Sequence, residues 1–155
     1  MRVILALCIL FLITGLCMAN GPADSPSAVK VFKSEEPFED VVDNIKMAIV
    51  ERGLLVSGTL HVSDMLNRTA PDLGYTEVFT KAESVEFCSA VISHKMAQAA
   101  PENIAICPFT IAVYVKREDP QQVYVAYRSQ HLAGKAKEAT DEIITLLEGI
   151  IEDSI

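Results

Sequence analysis

The amino-acid sequence predicts an α+β domain, with a mainly antiparallel sheet of about five strands, two principal helices and a shorter helix between them, in the order β-α-β-β-α-β-β-α. Three observations predict this class. Several short segments alternate apolar and polar residues, which is typical of strands. Two longer segments carry an apolar residue every three or four positions, which is typical of amphipathic helices. Turn residues between the last two strands indicate a hairpin, whose strands are antiparallel.

The chain of 155 residues is long enough for one domain. Its first residues are typical of a signal peptide: Arg2 precedes an uncharged apolar run from Val3 to Leu16, and Ala19 is a small residue at a cleavage position. We therefore expect a signal peptide at 1–19, a Gly/Pro/Ser linker at 20–28 and one domain at 29–155. An uncleaved membrane anchor is the alternative, because the apolar run is just long enough to span a bilayer.

Charge and compartment narrow the range of partners. The chain has 13 Lys and Arg residues against 21 Asp and Glu residues, a net charge of -8. This acidity argues against a nucleic-acid partner and against an anionic membrane surface once the signal is removed. Export would place the domain in an oxidising compartment, the periplasm if the source is bacterial.

The first half of the domain has the clearer patterns. Val29 to Ser34 alternates as a strand, and an apolar face from Phe38 to Ile49 predicts a helix that Gly53 ends. Leu54 to Val62 is predicted as a strand, with Leu54, Val56, Gly58, Leu60 and Val62 on one side and Leu55, Ser57, Thr59 and His61 on the other. A short helix through Leu66 and a loop from Asn67 follow.

The second half is predicted as a strand at 76–80, a helix from Val85 to about Ala100 that Pro101 limits, and a strand from Ile104 to Lys116. A turn then leads into the strand Val123 to Arg128. The chain ends in an amphipathic helix with one apolar face. That face consists of Leu132, Ala136, Ala139, Ile143, Leu146, Leu147 and Ile150.

Several segments resemble one protein family. TLHVSDMLNRTAPDLGY, then AESVEFCSAVISHKMAQAAPENIAICPFTIAVYV and then VYVAYR are similar to the domain-of-unknown-function family 302. The resemblance runs from Val29 to the end of the chain. It implies a curved antiparallel sheet packed against two principal helices and the capacity to form a homodimer. It implies no established reaction, and it gives the cysteines no function.

Cys88 and Cys107 are the two cysteines that remain after signal removal. The predicted helix places Cys88 in its first turn and Cys107 beyond its far end. A helix of that length spans roughly 22 Å, which opposes a direct bond, whereas the oxidising compartment favours one. A structural disulfide and two separate buried thiols are therefore equal interpretations. Redox chemistry ranks behind both, because there is no C-x-x-C motif.

Four residues form the candidate ligand site: Cys88, Cys107, His61 and His94. Cys88, Met96 and Cys107 are weaker candidates for a soft metal such as Cu(I), although a methionine on an apolar helix stripe normally fills a core. The histidines have no second ligand at a diagnostic spacing. The sequence identifies no cofactor and contains no G-x-S-x-G, H-E-x-x-H or glycine-rich phosphate motif.

These observations favour an exported, non-catalytic module that binds a small ligand, a sulfur species or a soft metal. The first alternative is a thiol-dependent sulfur transferase or oxidoreductase that uses Cys88 as its nucleophile. The second alternative is a structural subunit of a homo-oligomer. The sequence contains no motif that supports either alternative.

Overall fold

A five-stranded antiparallel sheet organises the computed structural model, which describes residues 28–155. The predicted signal peptide 1–19 and nearly all of the linker 20–28 lie outside the described residues. The strands are β1 (Val29–Ser34), β2 (Leu55–His61), β3 (Phe79–Cys88), β4 (Phe109–Lys116) and β5 (Asp119–Arg128). The helices are α1 (Phe38–Glu51), α2 (Val62–Leu73), α3 (Ala90–Ala99) and α4 (Lys137–Glu152), with a 3-10 helix at Pro101–Ile106. The predicted α+β class is confirmed.

The strands lie in the order β1-β5-β4-β3-β2, so β4 is central and β1 and β2 are the edges. Alternate residues of the inner strands point to one face, which we call the helix face, because they join residues of α1, α3 and α4 in a single buried core. Phe87 of β3 pairs with Phe109 of β4 there, and their rings meet edge to face at 5.8 Å. The other side of the sheet, which we call the second face, includes Thr110, Ala112, Tyr114 and Lys116.

The helix α1 confirms its sequence prediction. Its buried residues are those of the predicted apolar face: Phe38, Val41, Val42, Ile45, Ala48 and Ile49. Gly53 has a φ of 71° and follows the last turn, where its amide donates a hydrogen bond to the carbonyl of Val50. Because a left-handed conformation suits glycine, the helix ends here. Ser34 caps no helix; its hydroxyl accepts a hydrogen bond from the amide of Glu36 instead.

The predicted helix from Val85 to Ala100 begins too early. Residues 79–88 form β3, and α3 begins only at Ala90. Val85 and Phe87 are buried on the helix face, while Glu86 and Cys88 point to the second face, which is the period of a strand. Pairing with both β2 and β4 stabilises this conformation. Ser89 is the N-cap of α3, since its hydroxyl accepts a hydrogen bond from the amide of Ile92.

Further boundaries differ from the sequence predictions: the strand predicted at 76–80 begins only at Phe79, as part of β3, and β5 begins at Asp119 rather than at Val123. The segment predicted as a loop from Asn67 continues α2 to Leu73, with Pro71 in its last turn and Gly74 after it at a φ of 72°. The strand predicted from Ile104 begins at Phe109, because Pro101–Ile106 forms the 3-10 helix. The longer α2 has a structural role: Ser63 and Asn67 donate to the carbonyls of Ala82 and Phe79 on β3. It therefore covers the edge of β3 beyond the end of β2.

A bulge in β2 changes which residues share a side. Val56 pairs with Phe87 and Gly58 pairs with the preceding residue, Glu86, so Ser57 is the extra residue. After the bulge, Thr59 and His61 point to the helix face with Val56, and Leu60 points to the second face. The predicted sharing of one side by Val56, Gly58 and Leu60 is wrong for this reason.

The segment between β5 and α4 is held by Asn103 of the 3-10 helix. The amide nitrogen of this buried side chain donates to the carbonyls of Met96 and Ala133, at 3.0 and 3.1 Å. Its oxygen accepts from the amide of Ala133 at 2.8 Å. The next residue, Gly134, has a φ of 73°, and a Cβ there would lie 2.5 Å from the carbonyl oxygen of Ala99. The segment thus lies directly against the end of α3.

Glu148 connects α4 to the sheet. Its carboxylate accepts hydrogen bonds from the ammonium group of Lys30 on β1 and from the Tyr127 hydroxyl on β5, the latter at 2.6 Å. The Lys30 hydrogen bond and then the Tyr127 hydroxyl hold the pKa of Glu148 below its ordinary value. Burial and then the bond to Glu148 raise the pKa of Tyr127.

We expect Glu148→Gln to lower the free energy of unfolding by about 1 kcal/mol at neutral pH, because it removes a charge-assisted pair that is half exposed. Since the folded pKa of Glu148 is depressed, its stabilisation is present above the unfolded pKa and is lost as the pH falls through the folded value. Urea unfolding at about pH 7 and at about pH 3 measures the difference. Glu152→Gln, on the same helix, is the control, and an equal loss for Glu148→Gln at both pH values would contradict the assignment.

Candidate functional site

A disulfide joins Cys88 and Cys107, with a sulfur–sulfur distance of 2.12 Å and a Cα–Cα distance of 6.3 Å. Cys88 is the last residue of β3, and Cys107 lies between the 3-10 helix and β4. Because Phe87 pairs with Phe109, the two sulfur-bearing residues are neighbours across an antiparallel ladder. The geometric objection to the bond assumed that Cys88 lay on a helix, and it disappears once Cys88 belongs to β3. Of the two equal interpretations, the structure has the disulfide.

The start of α3 lies beside this disulfide. Cys88 immediately precedes the N-cap residue Ser89, and the hydroxyl of Ser93, one turn into the helix, is 3.6 Å from the sulfur of Cys107. Both cysteines are half-buried. The amides of Ala90 and Val91 occupy the first helical positions, where an α-helix supplies no acceptor. The disulfide is therefore accessible and lies next to the positive end of a helix dipole.

An open groove of about 620 Å³ runs past Cys88. We call it the Cys88 groove. Its lining consists of Arg52, Gly53, Leu54, Leu55, Ser57 and residues 88–91. Leu55 is 81% exposed and Val91 is 67% exposed, so much of the lining is apolar surface in contact with solvent. The guanidinium group of Arg52 bonds the Ala48 carbonyl and the Asp153 carboxylate at one end of the groove.

The structure separates His61 from the disulfide and places His94 on α3, next to Ser93. His61 ends β2 opposite Glu83, five residues along β3 from Cys88, which is roughly 17 Å of strand. Its Nδ1 atom lies 3.1 Å from the Glu83 carboxylate. His94 is exposed on α3, and its imidazole ring forms no hydrogen bond or ion pair with residues 28–155.

The weaker soft-metal set is not assembled in this oxidised state. Met96 is completely buried in the main core, where it fills space between α3 and its neighbours. With both sulfurs in a disulfide, neither cysteine offers a thiolate to a metal. Within the described part of the chain, no group of three or more His, Cys, Asp or Glu side chains could hold a metal ion.

The tyrosines have separate environments. Tyr114 and Tyr124 face each other across β4 and β5 with stacked rings 5.2 Å apart, as expected for cross-strand packing. A hydrogen bond to Asp119, with burial, raises the pKa of Tyr124 to about 12. Tyr127 is in the core and Tyr75 is exposed. These residues do not line one common cleft.

The sequence does not identify the lining of the Cys88 groove. Leu55 and Val91 lie in segments with ordinary apolar content, and nothing in the pattern distinguishes an exposed leucine from a buried one. One feature of the sequence could have indicated an exposed apolar residue here. Leu54, Leu55 and Val56 are consecutive apolar residues, and because side chains alternate along a strand, at least one of the three must face away from the core. Between residues 28 and 155, no helix is long and apolar enough to cross a membrane.

Comparisons with known proteins agree with this architecture. Residues 30–153 match the family model described as domain of unknown function DUF302. The crystal structure of an uncharacterised conserved DUF302 protein from Bacillus stearothermophilus is similar, with a TM-score of 0.67 and 11% identity. The match covers 84% of this chain and 100% of that one, and at this identity it establishes the fold alone. No curated protein matches the chain.

We expect reduction of the Cys88–Cys107 bond to lower the free energy of unfolding by about 3 kcal/mol, because the bond closes a loop with a sequence separation of 19. Urea unfolding with and without a thiol reductant measures this loss. The Cys88→Ser/Cys107→Ser double variant is the control, and reductant leaves its stability unchanged. Alkylation of Cys88 and Cys107 in the denatured, unreduced protein would contradict the disulfide.

Proposed function

We propose that this chain, which belongs to the DUF302 family, is an exported, non-catalytic module that binds a small molecule in the Cys88 groove. The molecule has an apolar body and one anionic group. The disulfide then has a structural role, because it fixes the end of β3 against the start of β4. This proposal keeps the cysteines at the site and leaves out His61, which lies at the other end of β2.

The exposed apolar lining of the Cys88 groove is the observation that carries the proposal. Leu55 and Val91 present large hydrocarbon surfaces to water although the core is well filled by other residues. Covering such a surface with an apolar ligand contributes roughly 25 cal/mol for each Å² removed from water. A volume of about 620 Å³ is in the range of small-molecule sites.

The anionic group follows from the polar end of the groove. The amides of Ala90 and Val91 lie at the start of α3, where the helix dipole favours a negative charge. Ser89 already uses its hydroxyl to accept from the amide of Ile92, so it does not satisfy those two amides. Arg52 lies in the same lining, with its guanidinium group paired with the Asp153 carboxylate. A carboxylate or sulfonate fits these donors better than an amine does.

Export is supported by the signal-like residues 1–19 and by a disulfide of the kind that persists in oxidising compartments. The periplasm is the compartment we propose for a bacterial source. Sequencing the first residues of protein recovered from its natural host tests this part, and a start at Met1 would contradict signal removal.

We expect octanoate, which combines an apolar chain with a carboxylate, to bind saturably and to shift the backbone amide resonances of Leu55, Ala90 and Val91 in ¹⁵N–¹H spectra. Leu55→Ser is expected to weaken the affinity about fivefold, because it removes part of the apolar contact. Octanol is expected to bind more weakly than octanoate, since it lacks the charge.

Leu73→Ser is the matched control, because Leu73 is also an exposed leucine but lies at the end of α2. It should leave octanoate affinity unchanged. An equal loss for Leu55→Ser and Leu73→Ser, or resonance shifts confined to other residues, would exclude the Cys88 groove. Native mass spectrometry of protein from its own compartment would show whether a natural ligand stays bound.

A thiol-dependent sulfur transferase or oxidoreductase is the second candidate function. It is favoured by the position of Cys88, which is half-buried and directly before the N-cap of α3. A helix N-terminus lowers the pKa of a nearby thiol and so favours the thiolate nucleophile. The hydroxyl of Ser93 is placed to hydrogen bond the sulfur of Cys107. Glu86, on the same face of β3 as Cys88, opposes the effect.

If this second function operates, we expect the Cys88 thiol of the reduced protein to be alkylated by iodoacetamide with a midpoint pH below the ordinary thiol value of about 8.5. Mass spectrometry of tryptic peptides follows each cysteine separately, and Cys107→Ser isolates Cys88. Alkylation of both cysteines with ordinary midpoints, or only after unfolding, would eliminate the enzyme hypothesis and leave the binding module.

A further inference from the structure

The strand β1 forms one edge of the sheet, and no other strand of residues 28–155 pairs with its outer side. Its pairing with β5 runs from Val29 to Ser34 without a bulge. The other edge of the sheet is protected in two ways: Ser57 bulges out of β2, and α2 covers β3 beyond the end of β2. An edge strand that is regular and uncovered is a template for pairing with another strand.

Two residues of β1 direct their backbone groups away from the sheet. The carbonyl of Ala28 accepts a hydrogen bond from the amide of Ser129 in the same register as β1 and β5, so every second residue from Ala28 onward bonds β5. Val31 and Lys33 lie between these residues, and their amides and carbonyls therefore point outward. The backbone of neither residue has a hydrogen-bond partner among residues 28–155.

The side chains of β1 also suit a further strand. Val31 is 49% exposed, so its apolar side chain is available for contact. Lysines on an edge strand usually discourage pairing, but both lysines of β1 are turned back onto their own chain. Lys30 pairs with Glu148, and the ammonium group of Lys33 lies 5.8 Å from the ring centroid of Tyr124. Both charges are therefore engaged within the chain.

We propose that the outer side of β1 pairs with β1 of a second copy of this chain, antiparallel and about a two-fold axis at Val31. The two five-stranded sheets then become one continuous sheet. Val31 lies opposite Val31 of the second copy, and these two residues exchange both of their backbone hydrogen bonds. Lys30 lies opposite Phe32 of the second copy, on the helix face.

The residue pattern of β1 favours this register over other antiparallel ones. An axis at Lys30 or Lys33 would place two lysines directly opposite each other, which destabilises a strand pair. An axis at Phe32 would place Lys30 opposite Ser34, where the chain leaves the strand. An axis at Val31 sets a β-branched residue against itself and an ammonium group against an aromatic ring, and both contacts are favourable. The strand is thus complementary to itself, as a two-fold interface requires.

The proposed interface lies at the opposite edge of the sheet from the Cys88 groove. That groove is lined by β2, α3 and the segment after α1, and it shares no residue with β1. The inference therefore does not depend on the proposed function, and each can fail alone.

Val31→Lys tests the interface, because it brings two ammonium groups together at the two-fold axis. Val31 is exposed, so the substitution leaves the core intact. We expect sedimentation equilibrium of the protein purified from its own compartment to show a monomer–dimer equilibrium with a Kd on the order of 100 µM, since one strand pair buries less surface than a standard interface. Val31→Lys should raise this Kd at least about tenfold. Val50→Lys changes a valine that is 59% exposed on α1, and as the control it should leave the Kd unchanged.

Amide hydrogen exchange locates the contact within the dimer. We expect the amides of Val31 and Lys33 to exchange slowly at high protein concentration and faster on dilution, because these two donors are bonded only in the dimer. A chain that stays monomeric at millimolar concentration, or equal effects of Val31→Lys and Val50→Lys on the Kd, would overturn the proposal. Exchange of the two amides at a rate that does not change on dilution would overturn it as well.

Discussion

The alternation of side chains along the central strand β4 is the constraint on which the rest of the structure depends. Phe109, Ile111, Val113 and Val115 are buried on the helix face, where α1, α3 and α4 complete the core. The residues between them necessarily point to the second face. A shift of one residue in the register would exchange the two sets and bury Lys116. The same pattern that builds the core therefore also places Thr110 and Ala112 on the second face.

Chemistry in this domain is concentrated where strands end. At the end of β3 the chain passes from Cys88 through the cap Ser89 into α3, so a disulfide, the first amides of a helix and exposed hydrocarbon lie together. At the end of β5 the chain leaves the sheet after Arg128, and Gln130 is buried beside it. Backbone and side-chain groups at such positions have lost their ladder partners, so they are free to bond other groups.

The sequence predicted the elements whose apolar pattern is also their burial pattern. α1 follows its apolar stripe residue by residue, and β1 has the predicted bounds Val29–Ser34. The helix predicted from Val85 was wrong, because the spacing of residues along the chain does not reveal the strands on both sides of this segment. Pairing with β2 and β4 determines its conformation. The disulfide could not be chosen from the sequence, since its geometry depended on that same segment. The Cys88 groove could not be predicted either, because its lining depends on which apolar side chains are exposed, and the apolar pattern of the sequence does not show that.

The side chain of Asn103 joins the end of α3 to the segment that leads into α4. Its side chain donates to Met96 and Ala133 and accepts from Ala133, so a single amide satisfies three backbone groups in a buried place. Aspartate of the same shape could not donate, and leucine would leave all three groups unpaired. A chain without an amide at this position would have to satisfy these three backbone groups by other means, or the segment before α4 would separate from the end of α3.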